Sequence, residues 1–316
     1  MAKKSLGSAT LEIVQAVRVV VGRPMLVGVS GGADSLALAF AVGHVCRAAG
    51  LGFAGAVVDH GLQAGSEQRA EVVRDQLAAL GYADIVVNKV AVGSVSGPEA
   101  AARAARYATL DAEAARRDAD LVLGHTLDDQ AETVLLGLVR GSGPRSIAGM
   151  SVRSGHRLRP LLGIRRARTR AACVELGLDY WNDPHNADPR FTRSRIRERV
   201  LPVLESELGP GIADALARTA DLLHPDADLI DRLAAELRTE ARRGSDLDCL
   251  MLTGADPALR GRVLKAWLTE AGAVETPYER VRAVDALITD WHGQGDVQLA
   301  GLSVRRQSGV LVALKS

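Results

Sequence analysis

Residues 25–35 read MLVGVSGGADS, and residues 36–49 continue as LALAFAVGHVCRAA. A short run rich in Val and Leu, two glycines and a long apolar-periodic segment predict a buried strand, a tight loop and a helix N-terminus. That order makes an anion site. Gly31 and Gly32 let the backbone turn sharply and approach a ligand, Ser30 and Ser35 add hydroxyls, and the helix dipole favours negative charge. The plainer alternative is a glycine-rich strand-to-helix turn that binds nothing. The loop lacks the lysine of G-x-x-x-x-G-K-[ST], which in that motif reaches the β- and γ-phosphates. Asp34 stands there instead. An acid beside phosphates is repulsive unless a cation such as Mg²⁺ lies between them, so Asp34 is the candidate metal residue.

The flanking sequence repeats the strand–helix alternation. Residues 9–21 space apolar positions as a helix, and further short apolar strands are expected at 53–58, 85–92 and 120–124. Helical stretches at 68–80 and from Pro98 separate them. This pattern predicts an α/β fold, a doubly wound parallel sheet with helices on both faces. The segment 125–132, HTLDDQAE, leaves the strand at 120–124 and opens a helix running to about residue 139. Ligands in open α/β sheets bind beyond the carboxyl ends of the strands, so this acidic cluster is expected to face the glycine loop.

A chain of 316 residues exceeds the size at which single cores stop growing, about 250–300 residues, so two domains are expected, 1–200 and 201–316. The second reads as mostly helical, with helices at 203–223, 228–243, 257–271 and 277–290 and a small terminal meander over 297–314. A net charge of only +1 means that any nucleic-acid affinity comes from a local surface. Residues 153–170 and 190–199 supply one, being dense in Arg and poor in acids. Arginine suits bidentate phosphate contact and base stacking, although a solvated face would read the same way. Cys46, Cys173 and Cys249 are odd in number and widely spaced, which argues against a disulfide scaffold or a zinc ribbon and fits a reducing cytoplasm. No signal peptide or membrane span is visible.

Asp129 and Glu132 are three apart at a helix start, so both carboxylates project from one face. Acids also stabilise helix N-termini, which is the plain reading of D-D-x-x-E. Opposite a phosphate loop, the pair can hold a metal, bind an amine or accept its proton. His60 and His125 both end strands on that edge and are candidates for the site, as is Asp59 beside the first.

The loop SGGADS resembles the SGGxDS pyrophosphate loop of the PP-loop ATP pyrophosphatase superfamily, whose members cleave ATP to AMP and pyrophosphate. VDHGLQAGS at 58–66, PEAAARAARY at 98–107, GHTLDDQAETVLLGLVRGSGP at 124–144, RPLL at 159–162 and DPHNADPRFTRSRIRERVLP at 183–202 follow in order. Together they resemble the tRNA(Ile)-lysidine synthetase family, strongly over the first two-thirds of the chain. The resemblance implies ATP-dependent joining of free L-lysine to C2 of the wobble cytidine of a CAU-anticodon tRNA(Ile), through an adenylated tRNA. It implies ATP and Mg²⁺ at Ser30, Gly31, Gly32, Ala33, Asp34 and Ser35, with Asp59, His60, Arg103 and His125 nearby, and catalysis by Asp34, Asp129, Glu132 and Arg197. The acid pair would bind the lysine amine. Ser194 departs from the Asn usual in the family's R-N-x-x-R segment.

Two other readings remain open, a PP-loop tRNA thiolase and a non-catalytic tRNA-binding module. The cysteine spacing disfavours the first and the intact acids the second. No membrane partner is expected; a homodimer is compatible with the sequence, which does not set the oligomeric state.

Overall fold

A computed structural model describes residues 5–59, 65–90, 98–183 and 188–315. The chain divides into two compact units, Met1–Leu222 and Leu223–Ser316. The first begins with α1 (Ser8–Val20), β1 (Met25–Gly28), α2 (Ala33–Ala49), β2 (Phe53–Asp59) and α3 (Ser66–Ala79). Next come β3 (Ile85–Lys89), α4 (Pro98–Arg116), β4 (Asp120–Val122), α5 (Leu127–Val139) and the short α6 (Pro144–Ile147). A hairpin of β5 (Arg153–Ser154) and β6 (Arg157–Leu158) precedes α7 (Arg166–Leu176). After α8 (Thr192–Arg195), a π-helical turn (Ile196–Val200) and α9 (Leu201–Glu207), α10 runs from Ile212 to Ala241.

The sheet has the order β3-β2-β1-β4-β6-β5, parallel throughout except for the β5–β6 hairpin at its edge. Its side chains alternate between two cores, as a strand period of two requires. Met25 and Val27 face a cluster built with Ile13 of α1, Leu36 of α2 and Cys173 of α7. Leu26 and Leu121 face the opposite cluster, with Leu110 and Ala114 of α4. Each such fully buried leucine stabilises the fold by roughly 1.5–3 kcal/mol. The expected doubly wound sheet is therefore present. The hairpin was concealed in the sequence because its strands are two residues long and carry arginines.

The chain runs outward from β1 through β2 to β3, then returns to place β4 on the other side of β1. The loops leaving β1 and β4 thus emerge side by side at the point where strand order reverses, the place where ligands bind in such sheets.

The second unit contains the later part of α10, β7 (Arg242–Arg243), β8 (Asp246–Asp248), α11 (Cys249–Thr253), α12 (Pro257–Ala271) and α13 (Tyr278–Thr289). It ends with β9 (Val297–Leu299), β10 (Leu302–Gln307) and β11 (Val310–Lys315), the expected meander. These strands join the β7–β8 hairpin in an antiparallel sheet, packed on Leu264, Trp267, Val284 and Leu287. The helix boundaries differ from the sequence expectation. A break was expected near Pro225, yet α10 continues through it, because one missing N–H is outweighed by apolar positions that keep helical spacing on both sides. The helix then stops at Ala241, and a turn at Gly244 (φ 65°) starts the β7–β8 hairpin where helix was expected to 243. Among the described residues no helix is long and apolar enough to cross a membrane.

Candidate active site

The glycine loop has the expected form. Gly31 takes φ 83°, and a Cβ there would lie 2.7 Å from Val73 Cγ2 of α3, so both conformation and space demand glycine. The Ser30 N–H donates to Ser35 Oγ (3.2 Å), whose hydroxyl donates to the Gly32 carbonyl (2.9 Å). Gly32 is the N-cap of α2 and no side chain caps it, leaving the first-turn N–H groups available to an anion. Trp181 locks the loop from outside by donating its backbone N–H to the Gly31 carbonyl (2.9 Å), and its ring carries the Arg69 guanidinium 3.5 Å from the centroid. Gly124, after β4, lets that strand approach α2: a Cβ would stand 3.2 Å from the backbone of Asp34.

Opposite the loop, α5 begins with Thr126 as N-cap. Asp129 Oδ2 accepts from the Thr126 N–H and hydroxyl, both at 2.8 Å, in a reciprocal capping box. Asp128 turns away and accepts the Arg166 N–H (2.7 Å). Glu132 lies one turn on, its side chain only 1% exposed. Two guanidinium groups bind these acids. Arg166 Nη2 donates to Asp129 Oδ1 (2.8 Å) and reaches Glu132 Oε1 (3.5 Å), while its Nε stands 3.5 Å from Asp34 Oδ2. Arg197 grips Glu132 through Nε to Oε1 (2.7 Å) and Nη2 to Oε2 (3.0 Å), and touches Asp129 Oδ1 (3.4 Å). Asp34 also accepts from the Thr169 hydroxyl.

Arg197 is delivered by the π-helical turn, a feature common at functional sites. Ile196 and Leu201 on either side are buried against Leu127 and Ala131 of α5. Burial raises the Asp34 carboxyl above its usual range, despite the Thr169 hydroxyl and Arg166. Burial also raises Glu132, outweighing its hydrogen bond from Arg197. For Asp129 burial acts upward too, but Arg166, His125 and the Thr126 donors together hold it below the usual range. The two acids of the pair are thus driven apart in proton affinity.

A cavity of about 490 Å³, within the roughly 300–1,000 Å³ usual for small-molecule sites, joins these parts. Of the candidate residues named from the sequence, Ser30, Gly32, Ala33, Asp34, Ser35, Asp59, His125, Asp129 and Arg197 line it. Gly31 and Glu132 stand behind the wall, and Arg103 lies exposed outside it, against Tyr107. His60 lies outside the described residues. Ser194 is buried. Sequence reading missed Arg166, Thr169, Trp181 and Tyr107 as members of the site; only the aromatic residues, rare at 3% of the chain, offered any signal.

Several arginines of the stretch 153–170 are paired with acids rather than left as an open basic surface. Arg153 pairs with Asp120 (3.0 Å), Arg157 Nε with Asp111 (2.8 Å) and Arg168 with Glu12 (2.6 Å), while Arg166 turns into the acid cluster. The stretch contains few acids of its own, but the fold brings them from other elements.

Residues 7–204 match the family model described as PP-loop domain, and residues 247–312 match the TilS substrate binding domain. Among curated proteins, the tRNA(Ile)-lysidine synthase of Leifsonia xyli subsp. xyli is 50% identical over 296 residues, covering 92% of this chain and 89% of that protein. That of Streptomyces coelicolor is 50% identical, covering 91% and 84%, and that of Thermobifida fusca 48% identical, covering 92% and 91%. A solved structure, the U34-tRNA thiolase NcsA from Methanococcus maripaludis with its [4Fe-4S] cluster, superposes with TM-score 0.57 at 20% identity, covering 68% of this chain and 79% of that one. That likeness speaks for the fold alone. With the glycine loop and acidic helix start in place, both domain matches in order, and 50% identity to a relative over 92% of this chain, the chain belongs to the tRNA(Ile)-lysidine synthase family.

Proposed function

We propose that the protein joins the ε-amine of free lysine to C2 of the wobble cytidine in a CAU-anticodon tRNA(Ile), consuming ATP in two displacements. The C2 oxygen attacks the α-phosphorus and pyrophosphate leaves; the amine then attacks C2 and AMP leaves with that oxygen, the amine losing a proton. One observation carries the reading: Arg166 bridges Asp129 and Asp34, so a cation held at Asp129 stands next to the nucleotide loop. A protonated amine bound at Asp129 beside this guanidinium would likewise stand next to the nucleotide loop.

The first-turn N–H groups of α2 and the Ser30 and Ser35 hydroxyls would hold the leaving pyrophosphate, a matter of positioning and charge neutralisation. Mg²⁺ fits here. Asp34 offers a half-buried carboxylate on the cavity wall at the start of α2, and Mg²⁺ is commonly held by one or two carboxylates plus substrate phosphates. When bound, the ion would neutralise charge on the phosphates. At neutral pH roughly one lysine in 2,000 is unprotonated, so the amine must be bound as a cation and then relieved of its proton.

Asp129, held ionised, suits the first task, with Oδ1 as the acceptor. Glu132 has both oxygens engaged by Arg197 and acts by fixing that guanidinium beside Asp129. Residues 201–316, which include the substrate-binding match, would grip the tRNA beyond its anticodon, and the reaction belongs in the cytoplasm, where tRNA, ATP and lysine meet.

A thiolase reading finds no support in the cysteines. Cys46 and Cys173 are buried in the core of the first unit and Cys249 in that of the second. Burial pushes the first two thiols up to about 11, the opposite of what a nucleophilic thiolate needs. Incubation with ATP, labelled lysine and an unmodified CAU-anticodon tRNA(Ile) transcript tests the proposal. Label is expected in the tRNA with one AMP and one pyrophosphate per lysine; ATP cleavage without lysine incorporation would overturn it.

A further inference from the structure

Beside the cavity, guanidinium groups gather around one phenol. Tyr107 OH lies 3.1 Å from Arg103 Nη2 and 3.3 Å from His125 Nε2. The carbons of Arg103, Arg157 and Arg106 stand 5.0, 5.0 and 5.6 Å from its ring centroid. A phenol oxygen accepts at most two hydrogen bonds, so with Arg103 and His125 beside it Tyr107 cannot also serve the other arginines around its ring. The shortage shows at Arg159, which is only 9% exposed and whose Nε is buried without a partner, and at His125 Nδ1, which is in the same condition.

Among the described residues, acids balance Arg157 but not the rest of the group. Asp111 faces it but is committed to Arg157 and His156 (2.9 Å), and Asp129 and Glu132 are engaged by Arg166 and Arg197. Such a surplus of donors over acceptors suits an anion. Its shape says which anion. Arg106 and His125 line the cavity wall, Arg159 is buried behind them, Arg157 is one-third exposed and Arg103 is exposed. Positive charge therefore runs from the cavity out to solvent, which suits a polyanionic chain entering the cavity better than a single phosphate confined within it.

We infer that this group, organised by Tyr107 as a positioning residue, seats a phosphodiester of the RNA next to the nucleotide being modified. The inference rests on the tRNA reaction proposed above and adds to it the path by which the strand enters. The phosphodiester oxygens would meet Arg106 and His125 on the cavity wall, with the Arg159 charge behind them, and the base could then turn towards the ATP site.

The test uses the full-length protein and an anticodon stem–loop RNA, unmodified or with a neutral methylphosphonate at one linkage flanking the wobble position. Arg106→Gln is expected to weaken RNA binding tenfold or more and to reduce the slope of log K against log salt by about 0.7–1, with ATP affinity unchanged within twofold. On the RNA neutralised at the seated linkage, wild type and variant should bind alike. Tyr107→Phe keeps every charge and the ring, so it should weaken RNA several-fold without altering the slope. Arg106→Lys, a milder change should the glutamine variant not fold, should lose affinity while keeping the slope. Loss of ATP affinity with unchanged RNA binding would reassign the seat to the nucleotide, and indifference of both ligands would make the arginines structural; either overturns the inference. If the variants lose RNA affinity but wild type makes no lysidine, the seat stands and the reaction falls. If wild type makes lysidine and the variants bind RNA normally, the reverse holds.

Discussion

Arg197 holds Glu132 with two hydrogen bonds, at 2.7 and 3.0 Å, across 65 residues of sequence and in a pocket where the acid is 1% exposed. Glu132 cannot meet a substrate in this arrangement, so its contribution runs through the guanidinium. Glu132→Gln leaves Arg197 and Arg166 with one charge fewer and should destabilise the protein by up to about 3 kcal/mol, read by urea denaturation. Single-turnover lysidine formation should fall tenfold or more with lysine KM changed less than kcat. A change confined to KM would instead put Glu132 in contact with the amine.

Asp129 separates the two half-reactions. Asp129→Asn keeps an oxygen for the Thr126 capping contacts but removes the charge that faces Arg166. Lysine KM should rise at least tenfold while pyrophosphate release in the presence of tRNA continues. Equal loss of both steps would move Asp129 to the nucleotide.

Gly31→Ala places a methyl 2.7 Å from Val73 Cγ2 at φ 83°. Isothermal titration should show ATP affinity reduced tenfold or more with tRNA binding intact. Adding Val73→Ala relieves the collision but not the left-handed backbone, which costs about 1–2 kcal/mol for a side-chain-bearing residue, so recovery should be partial. Full recovery would mean that only the contact mattered.

Burial, with help from the nearby arginines, lowers the His125 imidazole to about 3 against a usual 6.5. The unfolded chain therefore binds one more proton than the folded chain between those values, and stability falls as pH drops below 6.5. The loss is about 2 kcal/mol between pH 6.5 and 5. Denaturation midpoints across that range should decline in wild type and decline less steeply in His125→Gln; parallel slopes would show that His125 titrates normally.

Arg168 and Arg166 should behave differently although they are two residues apart. Arg168→Gln removes a half-exposed bridge to Glu12, worth about 0–1 kcal/mol, and should leave the salt slope of tRNA binding untouched. Arg166→Gln should abolish lysidine formation, because it strips the shared cation from Asp34, Asp129 and Glu132. A reduced salt slope for Arg168→Gln would restore it to an RNA surface.

Much of the fold was legible because it depends on local order. Residues 25–35 state a strand, a turn and a helix start in consecutive positions, and alternation of apolar strands with helices leaves few topologies other than a parallel doubly wound sheet. The acid pair at 129 and 132 was legible for the same reason, since three-residue spacing puts both on one helix face. The β5–β6 hairpin and the unbroken passage of α10 through Pro225 were not, because strands of two residues carry no period and a single proline is a weak veto against long helical spacing.

The charge partners were beyond any local reading. Sequence alone determined the glycine loop, the acids and a stretch dense in arginine; only the tertiary structure decided which arginines meet which acids. Asp120 reaches Arg153, Glu12 reaches Arg168, and Arg166 turns inward to bridge Asp34 and Asp129. Even the cap of α1 is remote: Glu175 accepts the Ala9 and Thr10 N–H groups at 3.1 and 2.8 Å, from 165 residues or more along the chain. Helix and strand periods are written in neighbouring residues, whereas an ion pair forms wherever packing brings opposite charges within about 4 Å, and sequence separation has no bearing on that distance.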